Sequence, residues 1–265
     1  MTIREEGFTY ALEDGVASVT LARPDRINAL TFASYRALTE AFRELHETAA
    51  VRAVVLSGEG VRGFCSGGDV RDIIGELFAR DMPGLLEFTR VTGALVAAIH
   101  TCRAPVVAAL HGVVCGAGAV IAIASDIRLA SPDARIAFLF PKVGLSGADM
   151  GASWLLPRIV GHGRASELLL MGDFVDAERA EHIGLVNRVV PLANLRHDAL
   201  ALARTIAAGP AFAHAMTKKM LDYEASVDFA TGIEAEAQAQ AICMQHTDFR
   251  EAYDASRERR APKFK

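Results

Sequence analysis

An α/β fold followed by a purely helical segment is what this 265-residue sequence predicts. Three observations carry that reading. From about residue 8 to residue 190, short β-branched runs alternate with stretches of helical periodicity, the pattern of a sheet covered by helices. After about Pro191 the strand runs stop, and 193–208, 210–225 and 229–257 show helical spacing alone. Between them lies PVVAALHGVVCGAGAVIAIASD (105–126), in which an apolar strand meets a small-residue turn (His111 to Ala117) and passes into a helix-compatible run. No charge occurs between Arg103 and Asp126, so that stretch must be buried. The division expected is a core over 1–191 and a helical module over 192–265.

In order, residues 8–13 and 16–23 alternate across Asp14-Gly15, a hairpin signal. RPDRINALT follows as a loop, and Thr31 is placed to cap a helix running to about Thr48, with Leu38, Phe42 and Leu45 on one face. RAVVLSGEG reads as a buried strand, and VRGFCSGGD (61–69) as a loop into a helix starting near Asp69. A longer helix is expected over 82–101, then the strand at 105–110 and two short strands at 127–131 and 135–140. After the loop PKVGLSGADMGASW (141–154), Pro157 limits one helix. Residues 164–171 and 176–182 read as two more, and 185–190 as a last strand. The helical segment breaks at Gly209-Pro210 and near Asp228.

Composition narrows the function. A formal net charge of −4 argues against nucleic acid, which calls for a basic patch. Cys65, Cys102, Cys115 and Cys243 form no CxxC pair and no metal-like cluster, so they read as reduced thiols and no metal is implied. MTIREEGFTY carries acids and no apolar run, so a signal peptide is not expected and the sequence reads as cytoplasmic. The uncharged run at 105–126 reaches the length of a membrane helix. Its strand-like start, its central glycines and the lack of a second such segment argue against one. GAGAVI is a weak match to a dinucleotide fingerprint, because the third glycine and the later acid are missing. A glycine turn that merely lets strand and helix pack closely remains the plain structural alternative.

Two segments share one design. FCSGGD (64–69) and VCGAG (114–118) each set small residues just before a helix, where backbone N–H groups are unpaired. Together they suggest two main-chain donors converging on one carbonyl oxygen. Asp69 reads as a cap holding its loop. On RPDRINALT, FCSGGD, HGVVCGAGA, SDIRLA and the run from Lys142 to Gly161, in this order and spacing, the chain resembles the crotonase (enoyl-CoA hydratase/isomerase) superfamily along nearly its whole length.

That resemblance implies a core of repeated ββα units, a C-terminal helical module for oligomerisation, trimers or paired trimers, and acyl-CoA thioesters as substrates. CoA would then be part of the substrate, with no further cofactor and no nucleic-acid or membrane partner. By motif position the backbone N–H groups of Ser66 and Ala117 match the oxyanion hole. The loop around Arg26 and Ala29 matches the region beside the CoA nucleotide, and Gly67, Gly68, Asp69, Gly116, Phe140 and Trp154 fall along the substrate path.

Departures from the family pattern decide the chemistry expected. Hydratases of the family carry two glutamates, whose positions fall here at Val120 and Phe140, and neither residue moves a proton. One acid remains: Asp149 in GADMGASWLLPR, five residues before Trp154. This resembles the branch of enoyl-CoA isomerases, especially 1,2-epoxyphenylacetyl-CoA isomerase, in which an aspartate at this point is the acid/base. The loop from Leu145 to Ala148 is one residue longer than in that branch. The alternative is that Asp149 caps a helix beginning near Gly151. An apolar setting of Leu145, Met150 and Trp154, with Phe140 and Val120 by family analogy, is expected to raise its pKa. His111 reads as a buried imidazole, Lys142 as solvated or ion-paired, and Cys65 and Cys115 as thiols without an activating base. Double-bond isomerisation by a single aspartate is therefore expected. A hydratase positioning water with one carboxylate, or a non-catalytic acyl-CoA-binding member, is the alternative.

Overall fold

The computed structural model describes residues 2–265, with side chains at all but residues 2–5, Val70 and Ile74. Its first half runs β1 (Thr2–Glu5), β2 (Phe8–Glu13), β3 (Val16–Leu21), α1 (Phe32–Glu47), β4 (Ala53–Gly58), α2 (Gly75–Leu77), α3 (Met82–His100), β5 (Val106–Leu110), β6 (Val113–Cys115) and α4 (Ala117–Ala124). The second half runs β7 (Ile127–Ala130), β8 (Arg135–Ala137), α5 (Ala152–Val160), α6 (His162–Met171), β9 (Val175–Asp176), α7 (Ala177–His182), β10 (Arg188–Val189), α8 (Leu192–Ala207), α9 (Ala211–Glu224), α10 (Phe229–Gln245) and α11 (Thr247–Glu258). The expected helix at Asp69 is instead a π-helical turn, Val70–Ile74, running into the short α2.

The large sheet has the order β1-β2-β3-β4-β5-β7-β10. Its first three strands are antiparallel and the rest parallel. Asp14 (φ 48°) and Gly15 (φ 79°) both adopt the left-handed conformation, which a two-residue turn matched to strand twist demands. They set the register Phe8↔Leu21. A second sheet, β6-β8-β9, lies beside it. The ββα repeat is visible here: β5 and β7 go to the large sheet, and their successors β6 and β8 to the small one.

Period-2 alternation splits the strands between two cores. Val54, Leu56, Val106, Ala108 and Leu110 face α1 and α3, meeting Leu38, Phe42, Leu45, Leu95 and Ile99. Ala53, Val55, Val107, Ala109 and Leu129 point the other way, onto Leu195, Ala199, Ala203 and Ala207 of α8, spaced to share one helix face. The division expected at 191/192 falls just before α8. The first helix beyond it is the cover of the sheet's second face, and a boundary there would expose a continuous apolar layer. Beyond α8 burial is sparse: α9 holds no buried residue, α10 only Gly232 and Ala239, and α11 only Asp248 and Ala255. The single helix expected over 229–257 breaks at His246, whose Nδ1 accepts from the Asp248 N–H and starts α11 afresh.

Candidate active site

The two small-residue loops meet at the end of β6. Cys65 N–H donates to Val113 O at 3.1 Å, and Cys115 N–H to Cys65 O at 2.9 Å, so the loop after β4 runs as an added strand beside β6. Gly67 (φ 102°) and Gly116 (φ 54°) then face one another. A methyl group on Gly67 would lie 3.2 Å from Cys115 O and 3.4 Å from Ala117 N. One on Gly118 would collide with Cys65 O. Glycine at 67 keeps the space before the Ala117 N–H open. Ala117 is the first residue of α4, and among the described residues its N–H has no acceptor, as expected of a first helical turn.

Ser66 departs from expectation. Its N–H is not free but donates to Ile27 O at 2.9 Å, and its hydroxyl faces Arg26 O at 3.3 Å. The cause lies in the RPDRINALT loop, where Ile27 (φ 49°) and Asn28 (φ 54°) are both left-handed and turn the Ile27 carbonyl onto the 64–69 loop. The buried Asn28 side chain fixes that turn. Its Oδ1 accepts from Arg23 N–H at 2.9 Å, and its Nδ2 faces Glu59 O, Gly63 O and Phe64 O at 3.0 to 3.1 Å. Asn28 thus organises the site, and sequence reasoning did not single it out.

Asp149 lies half-buried just before α5. Its carboxylate Oδ1 accepts only the neighbouring Met150 N–H, at 3.0 Å, among the described residues. The N-cap of α5 is Gly151 (φ 89°), with no side-chain cap bond, so Asp149 does not cap that helix through its carboxylate. Burial pushes its pKa above the ordinary carboxylate value, and the Met150 N–H only partly offsets this.

The remaining expected residues divide. Arg26 is exposed, and Ala29 is buried with its carbonyl accepting from Arg23. Gly68 pairs with Leu30 in an isolated bridge. Asp69 is 6 % exposed and wholly engaged. Burial pushes its carboxyl up, but the N–H groups of Arg71 and Asp72 and the Arg23 guanidinium at 3.1 Å outweigh that and leave it below the usual range. It holds the loop through these bonds. Phe140 and Val120 are core residues.

Trp154 is 39 % exposed. It stands on the outer side of α5, edge-on to His100 with ring centroids 5.6 Å apart and under the Arg158 guanidinium at 3.8 Å. It lines a separate cleft of about 430 Å³ with Asp126, Lys218 and Asp222. The α5 periodicity explains this, since Ala152, Leu155 and Leu156 take the buried face.

Other candidates behave as read. His111 is buried with Nε2 2.9 Å from Gly60 O, and burial lowers its pKa. Burial pushes the thiols of Cys65 and Cys115 up to about 12 and about 11, so neither is a nucleophile. Lys142 pairs with Asp173 at 2.7 Å. One further residue at the site went unread: Tyr35 of α1, whose hydroxyl borders Gly68.

A parallel-rich sheet and a small second sheet, built from ββα units with their loops gathered over one helix start, define a crotonase-fold protein. The enoyl-CoA hydratase/isomerase family model matches residues 11–265, and the chain belongs to that family. Over 255 residues it is 36 % identical to a Rhodobacter capsulatus protein named as an enoyl-CoA hydratase, covering 96 % of each chain. Over 253 residues it is 32 % identical to the 1,2-epoxyphenylacetyl-CoA isomerase of Escherichia coli K12, again covering 96 % of each. A crystal structure described as an enoyl-CoA hydratase from Streptomyces coelicolor A3(2) superposes with a TM-score of 0.96 at 50 % identity, covering 99 % of this chain and 95 % of that one.

Proposed function

We propose that this chain isomerises the double bond of an enoyl-CoA thioester through an enolate-like intermediate, with Asp149 as the one proton carrier. The observation that carries the reading is the state of that carboxylate: half-buried, raised in pKa and unused as a helix cap. The Ala117 N–H would polarise the thioester carbonyl, with Gly67 and Gly116 leaving the main chain open to it. The Ser66 N–H joins by exchanging the Ile27 carbonyl for the thioester oxygen. Asp149 then removes a proton acidified by that polarisation and returns it to another carbon. A carboxylate with a raised pKa is a stronger base once ionised, which suits this step near neutral pH.

Val120 and Phe140 support a shift over paired-carboxylate hydration, since neither side chain transfers a proton. The names of relatives such as the Rhodobacter protein favour a second reading, in which Asp149 alone positions water for hydration. The exposed Arg26 would face the CoA phosphates, with no other cofactor. Exposed Leu221, Phe229, Ile233, Ile242 and Phe249 support the packing of α9–α11 between copies, as a trimer or hexamer. The buried free thiols fit a reducing compartment such as the cytoplasm.

The test is a panel of straight-chain, branched and aromatic enoyl-CoA thioesters in deuterium oxide, with products identified by mass spectrometry and NMR. An isomer carrying deuterium supports the proposal. A 3-hydroxyacyl product would decide for the hydratase, and binding without conversion for a non-catalytic member.

A further inference from the structure

Tyr35 occupies a position that packing alone would give to leucine. It lies on the same face of α1 as Leu38, Phe42 and Leu45, and is only 1 % exposed. Its hydroxyl forms no hydrogen bond among the described residues, and it is not one of the fully buried polar atoms left without a partner. That hydroxyl sits beside the loop that carries the site: a methyl group built on Gly68 would lie 3.9 Å from it. Burial first, and then the neighbouring Cys65 and Asp149, hold the phenol well above its ordinary range, so it is a neutral donor at any working pH.

The protein supplies little for this donor to bond. Cys65 keeps its proton and directs its thiol to Asn28 O at 3.3 Å. Among the described residues the Asp149 carboxylate accepts from Met150 N–H and not from Tyr35. A hydrocarbon acyl chain entering between Gly68 and Asp149 would strip water from the hydroxyl and leave it unpaired. An acyl chain bearing an oxygen there would pair it. We infer that Tyr35 is a specificity-determining residue that donates a hydrogen bond to an oxygen on the acyl group, so that the enzyme favours oxygenated acyl-CoA thioesters over plain hydrocarbon ones. This rests on the space at Asp149 being the acyl site, as proposed above.

Equilibrium binding separates this inference from the chemistry proposed for Asp149. Two matched pairs serve as probes for calorimetry: butanoyl-CoA with 3-hydroxybutanoyl-CoA, and phenylacetyl-CoA with 2-hydroxyphenylacetyl-CoA. In at least one pair the wild type should prefer the oxygenated ligand by about tenfold, the worth of one buried hydrogen bond. Tyr35→Phe should abolish that preference, chiefly by weakening the oxygenated member. Its midpoint of thermal unfolding should be unchanged or higher, because the hydroxyl removed has no structural partner. Asp149→Asn should keep the preference even if turnover is lost, so failure of one reading leaves the other testable.

Three results would overturn the inference. One is the absence of any preference in the wild type, and another is a preference that survives Tyr35→Phe. The third is a Tyr35→Phe variant that binds both members alike to wild type but moves the acid limb of the pH–rate profile, which would make Tyr35 a positioning residue for Asp149.

Discussion

Replacing Asp149 with asparagine separates the carboxylate's chemistry from its structural part. The structural part is small. Oδ1 accepts one N–H, from Met150 at 3.0 Å, and an asparagine Oδ1 accepts the same bond. No helix cap is lost, since Gly151 caps α5 without a side chain. The change in unfolding free energy should therefore stay within about 0.5 kcal/mol at low pH. Its pH dependence has a definite sign. With the folded pKa raised above the reference value of 3.8, the group's favourable contribution is full below that value and is lost as pH rises through the folded pKa. Asparagine does not ionise, so the variant should gain on the wild type across that window. Turnover should fall by roughly 10² to 10⁴, the range for a lost general base, or about 3 to 5 kcal/mol of barrier. The wild-type kcat/KM should rise with pH along an acid limb placed above the ordinary aspartate range, and the variant should lack that limb. The assay is isomerisation with C–H exchange in deuterium oxide, beside urea unfolding from pH 4 to pH 8. Wild-type rates of isomerisation and exchange in the asparagine variant would remove Asp149 from the mechanism.

Three further perturbations test the rest of the site. Ala117→Pro deletes one N–H at the first position of α4, where proline is tolerated, and should reduce turnover by about 10² to 10³ with circular dichroism unchanged. Asn28→Ala leaves Glu59 O, Gly63 O and Phe64 O without their donor and should cost about 2 to 4 kcal/mol in urea unfolding. Trp154→Phe should change kcat/KM by less than about twofold, because the indole packs on His100 and Arg158 outside the site; a larger loss would return it to the acyl pocket.

What the sequence made legible was whatever local physics decides. The Asp14-Gly15 turn fixed a hairpin, and Thr31 caps α1 as read, accepting from Ser34 N–H at 3.1 Å. Uninterrupted apolar runs marked β4 and β5, because the side chains of each strand are buried on both faces, against two different cores. Elements too short to show a period were missed: β6 spans Val113–Cys115 and β9 only Val175–Asp176, and both exist because another strand lies alongside. The role of α8 was hidden for a related reason. Leu195, Ala199, Ala203 and Ala207 announce one apolar face, but nothing in their spacing says whether a sheet or a second subunit covers it.

The site was legible to the extent that it consists of side chains. Asp149 could be found through the family resemblance, which sets an aspartate at that point of the loop. Backbone donors carry no such mark. Ser66 and Ala117 stand in equivalent motifs, yet among the described residues one N–H has no acceptor and the other is bonded to Ile27 O, a difference set by two left-handed residues nearly 40 positions earlier. Asn28 was unread for the same reason, since an amide that satisfies three distant carbonyls looks in sequence like any turn asparagine. The loop it fixes also carries the carbonyl that occupies one of the two expected donors. Any ligand oxygen that takes both N–H groups must therefore displace Ile27 O, which couples thioester binding to the RPDRINALT turn.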